Sequence, residues 1–64
     1  MKTKEKKAYL NELENFGSAY IGSMEIMGTM KIVKRYESLR RYVEKQMPGK
    51  TLAMNNEDGT CWIV

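Results

Sequence analysis

At 64 residues the chain makes one small domain that hides only about 60% of the surface its unfolded form exposes, which does not fit a large internal active-site cavity. One cysteine, Cys61, and no histidine leave no internal disulfide, no ordinary structural zinc set and no histidine general base. Eleven basic against eight acidic residues give a formal charge of +3, which permits a polyanionic partner and leaves the distribution of charge to decide.

In chain order, residues 4–16, KEKKAYLNELENF, place Tyr9, Leu10, Leu13 and Phe16 at helical spacing, with Gly17 as the stop. Residues 1–3 read as a flexible basic tail. Residues 18–30, SAYIGSMEIMGTM, are apolar and methionine-rich but broken by Gly22 and Gly28. A short irregular helix over 19–27 is expected, with a strand as the alternative, and Thr29 is a suitable N-cap for the next helix. Over 30–46, Ile32, Tyr36, Leu39 and Val43 fall within an arc of about 60°, predicting a strongly amphipathic helix that Pro48 and Gly49 terminate. The tail TLAMNNEDGTCWIV reads as two strands, 51–54 and 60–64, joined by a turn at Gly59. Pairing 54 with 60 places Leu52, Met54, Trp62 and Val64 on one face, with Ala53, Cys61 and Ile63 on the other. The expected fold is α+β: a single domain over 1–64 with two main helices (4–16 and 30–46), the irregular segment and a C-terminal β-hairpin.

Six of the eleven basic residues lie in KIVKRYESLRRYVEKQ, residues 31–46. On a helical projection Lys31, Lys34, Arg35, Arg41 and Lys45 gather within an arc of about 120° roughly opposite the apolar stripe, while Glu37 and Glu44 fall outside it. Segregated cations beside the hydroxyls of Ser38 and Tyr42 have the character of a face that tracks phosphates. A face kept only for solubility more often mixes its signs. Arg40 projects elsewhere, beside Val33 and Glu44, and reads as structural. A helix-turn-helix does not fit. With Gly28 as the turn glycine, the positions expected to be buried six and nine residues later are Lys34 and Glu37.

The remaining chemistry is sparse. Cys61, between Thr60 and Trp62, has no neighbouring base or cation to activate it and reads as a small buried thiol. The final CWIV has the form of a prenylation box, yet reads better as the second hairpin strand. Glu12 with Glu14, and Glu57 with Asp58, are expected to serve solubility, and neither a metal nor a cofactor is expected. Met24, Met27 and Met30 recur every three residues, as core filler or as an adaptable partner-binding surface. No segment has signal-peptide or membrane-span form, so a cytoplasmic setting without membrane contact is expected. The resulting expectation is a non-enzymatic regulator that contacts nucleic-acid phosphates through its basic helix. The alternative is a small inhibitor or adaptor of the phage or mobile-element type, docking on an acidic protein surface. A homo-oligomer would supply apolar burial that so short a chain lacks.

Overall fold

The computed structural model describes all 64 residues. Its first helix, α1 (Thr3–Phe16), buries Leu13 fully and Tyr9 and Leu10 in part, then stops at Gly17, whose N–H donates to the Leu13 carbonyl. Phe16 lies in the last turn and remains 78% exposed, so the buried stripe of this helix ends at Leu13. The helix begins one residue earlier than expected, at Thr3, and Met1 packs against the core.

The ambiguous segment resolves into both of its alternatives. Ala19–Tyr20 is a two-residue strand, β1, and Met24–Met27 is a single helical turn, α2, capped by the Ser23 hydroxyl accepting from the Glu25 N–H. The helix expected across 19–27 is thus confined to its second half, because Ile21 continues the extended course and donates its N–H to the Gly59 carbonyl at 3.0 Å. Gly28 ends α2 and also caps α3 (Thr29–Gln46). Thr29, expected at the cap, is the first helical residue, since the Gly28 carbonyl already accepts from the Ile32 N–H.

The α3 helix obeys its sequence pattern. Ile32, Leu39 and Val43 are fully buried, and half-buried Tyr36 donates its hydroxyl to the Leu52 carbonyl at 2.6 Å. Met47, ahead of Pro48, adopts φ −130° and ψ 77°, outside the helical region, as the proline ring demands.

The hairpin strands β2 (Leu52–Met54) and β3 (Thr60–Ile63) join β1 in one antiparallel sheet of order β1-β3-β2. The register differs from the expected one by a single residue: Met54 pairs with Cys61, Ala53 with Trp62 and Leu52 with Ile63. At the turn the Asn55 N–H donates to the Thr60 carbonyl while the Asn55 carbonyl accepts from the Gly59 N–H, so Gly59 and Thr60 together oppose one residue. That bulge, with Gly59 at φ 75°, shifts the pairing, so that Leu52 and Met54 share their face with Cys61 and Ile63 and not with Trp62 and Val64. Cys61 turns into the core and Trp62 turns out of it. Both long helices pack against the sheet, and Leu13, Ala19, Ile21, Leu39, Val43, Leu52 and Cys61 form the shared core.

Burial, and secondarily the negative charge of Asp58, pushes the Cys61 thiol up to about 11. Native protein at pH 8 should therefore react with a thiol reagent far more slowly than protein unfolded in urea. Because the folded state holds this proton more tightly, the thiol's contribution to stability is complete below about pH 9 and is lost as pH rises towards 11. Urea titrations across that range should show a steeper loss in the native chain than in a Cys61→Ala variant.

Candidate polyanion-binding groove

The α1 and α3 helices run in opposite directions, which brings the start of one beside the end of the other. Between them lies a groove of about 460 Å³. Thr3, Lys6 and Lys7 line it from α1, at the i, i+3 and i+4 positions that share one side of a helix. From α3 come Arg41, Tyr42, Lys45 and Gln46. Four of these seven lining residues are cationic and none is acidic. Tyr42, Thr3 and Gln46 add neutral hydrogen-bonding groups of the kind that fix an anion's orientation.

Arg41 has the groove's one ion-pair partner, Glu37, at 3.9 Å on the exposed side of α3. Such a long i, i+4 pair in water is weak, and an incoming phosphate can compete for the guanidinium. Lys2 occupies the N-cap of α1 without a side-chain cap, and the one acid in the first turn, Glu5, is drawn to Arg35 at 3.6 Å and does not line the groove. The groove thus concentrates positive potential without a compensating carboxylate on its walls.

Of the residues read from the sequence as a basic ridge, Arg41, Tyr42 and Lys45 come together here. Lys31 and Lys34 are exposed and have no ion-pair partner, but lie on the first half of α3, outside the groove. Ser38 is half-buried and does not line it.

Arg35 must be removed from the ridge. Its side chain is only 19% exposed and lies 3.6 Å from the Glu5 carboxylate. Its Nε donates to the Ile21 carbonyl and an Nη donates to the Tyr9 hydroxyl, both at 2.8 Å. The guanidinium also sits 5.8 Å from the centre of the Tyr9 ring. Projected at the edge of the cationic arc, it turns towards α1 because two partners and a free carbonyl stand there. It is a tie between α1, the chain after β1 and α3.

Arg40 is structural, as read. It pairs with Glu44 at 3.1 Å, and the same carboxylate accepts the Thr51 hydroxyl. The Thr51 hydrogen bond, helped by Arg40, holds the Glu44 carboxyl below its ordinary range. The methionines divide: Met24 and Met27 are half-buried, with Met27 against Gly22, and Met30 is exposed. As a partner surface the set reduces to Met30, near the exposed Ile26 and Val33, which carried no periodic signal of their own.

Thr3, Lys6, Lys7 and Gln46 were missed as site residues. The lysine-rich start was the available signal. What the sequence does not display is that this start folds onto the far end of α3, some forty residues away.

Comparison with protein-family models, with curated proteins and with solved structures found no match to this chain.

Proposed function

We propose that the protein is a non-enzymatic binding module that grips nucleic-acid phosphates in the groove between α1 and α3. The carrying observation is the convergence of Lys6, Lys7, Arg41 and Lys45 on one cleft with no acid in its lining. Lysine and arginine contacts of this kind gain their free energy largely from counterion release, so they need no base recognition and no preformed pocket for a base. The neutral donors on the walls suit a backbone that must be held in register. A reducing compartment suits the buried, unpaired Cys61. No helix is long and apolar enough to cross a membrane.

Fluorescence anisotropy with a labelled duplex and a labelled single strand, at several salt concentrations, tests the proposal. Four phosphate contacts give a log–log slope of about −3.6 on duplex DNA and about −2.8 on a single strand. Between about 50 and 200 mM salt the duplex affinity should fall roughly 100-fold. No association with either at about 50 mM salt would overturn the reading and favour an acidic protein surface as the partner of the same cations.

A further inference from the structure

We propose that the groove between α1 and α3 is a single-strand site, in which one unpaired nucleobase stacks on Tyr42 while the surrounding cations hold the phosphates on either side of it. Phosphate contacts alone, on which the polyanion reading of this groove and hence this inference rest, do not tell a single strand from a duplex; Tyr42 supplies the distinction. It is the groove's one aromatic side chain, set between Arg41 and Lys45 on α3, with Lys6 and Lys7 on the α1 wall. The hydroxyls of Tyr9 and Tyr36 are bound to Arg35 and to the Leu52 carbonyl, whereas Tyr42 makes no hydrogen bond within the chain. Phe16, Tyr20 and Trp62 are more exposed, but none of them lines the groove. A ring among cations is the combination that sequence-tolerant single-strand binding needs: the cations track the backbone and the ring takes a base, since every base has a π-face.

Shape selects the form of nucleic acid. The α1 and α3 helices pack against each other, and the axes of packed helices lie about 8–10 Å apart, so the cleft between them admits one strand and not a duplex. Its volume of about 460 Å³ falls in the range of pockets that enclose one small molecule, the scale of a single nucleotide. In a duplex the bases are paired and stacked inside, and one reaches Tyr42 only by giving up both interactions. A single strand has no pairing to lose. Duplex is therefore held by its phosphates alone, while a single strand adds the contact with the ring.

Anisotropy titrations of the full chain at about 50 mM salt test this with three probes: a thymidylate single strand, an abasic strand of the same length and charge, and a duplex. Stacking one base on an aromatic ring is worth about 5- to 150-fold in affinity, so the thymidylate strand should bind tighter than the abasic strand by at least about 5-fold. Tyr42→Leu should lose that advantage, bind the abasic strand and the duplex as the parent does, and keep the parent's salt slope. Tyr42→Phe, which keeps the ring, should keep the thymidylate-to-abasic ratio. Equal affinity of the native chain for the thymidylate and abasic strands would overturn the inference and leave the polyanion reading standing. So would a folded Tyr42→Leu variant with the parent's affinity for thymidylate; if that variant does not fold, the ratio measured on the native chain decides. Absence of binding to all three probes would remove both readings.

Discussion

Gly59→Ala is expected to leave the protein largely unfolded at 25 °C. Gly59 has φ 75° at the hairpin bulge, is buried, and lies where the turn crosses the chain between β1 and α2. A Cβ there would overlap the Gly22 carbonyl oxygen and approach its carbon to 2.9 Å. Neither is a side chain that can swing aside. The same crossing holds the hydrogen bond from the Ile21 N–H to the Gly59 carbonyl, so moving the strands apart also loosens β1. Positive φ costs a β-carbon about 1–2 kcal/mol, and forced overpacking adds typically 1–3. Together these approach the roughly 3–5 kcal/mol that a core of this size provides. Gly49→Ala is the control, because its φ is 89° but nothing lies within 4 Å of the added carbon. It should cost only about 1 kcal/mol. Urea unfolding followed by circular dichroism reads both, and a Gly59→Ala variant within about 1 kcal/mol of the parent would show that the crossing is not tight.

Replacing Lys6, Lys7, Arg41 and Lys45 together by glutamine should weaken association with nucleic acid by at least about 100-fold and flatten its salt dependence. Each single replacement should lower the slope by about one, because each removes one phosphate contact and its released counterion. The comparison with α3 residues outside the groove is what gives this experiment its force. Lys31 and Lys34 carry the same charge on the same helix, so their joint replacement should change the slope by less than about 0.5 if contact in the groove, and not overall charge, governs binding. Arg35→Gln should behave differently again. It removes the tie to Ile21, Tyr9 and Glu5, costing about 2–3 kcal/mol of stability while leaving the slope of the folded fraction unchanged.

The parts of the fold governed by local period were legible. Ile32, Leu39 and Val43 announce one buried stripe, and Pro48 announces its end, because both signals act within a few turns of chain. The two-residue β1 strand was not legible as such. Its course is held by pairing with β3 and by the Ile21 bond to Gly59, contacts made forty residues away. The hairpin was visible but its register was not, since counting alternation outward from the turn cannot reveal that Gly59 forms a bulge. One extra residue then set Cys61, where plain alternation set Trp62, on the face shared with Leu52 and Met54. The site divided in the same way. Arg41, Tyr42 and Lys45 could be read from one helical projection, whereas Lys6 and Lys7 join them only once α1 lies against α3. Arg35 shared the projected arc, but a projection contains no Tyr9 hydroxyl and no Ile21 carbonyl to draw the guanidinium inward.

The most direct measurement is a chemical-shift titration of the isotope-labelled chain with a short oligonucleotide at low salt. Binding in the groove predicts that the amides of Thr3, Lys6 and Lys7 shift together with those of Arg41, Tyr42, Lys45 and Gln46, on one binding curve. Shifts centred on Lys31, Lys34 and Met30, with the start of α1 unmoved, would contradict it.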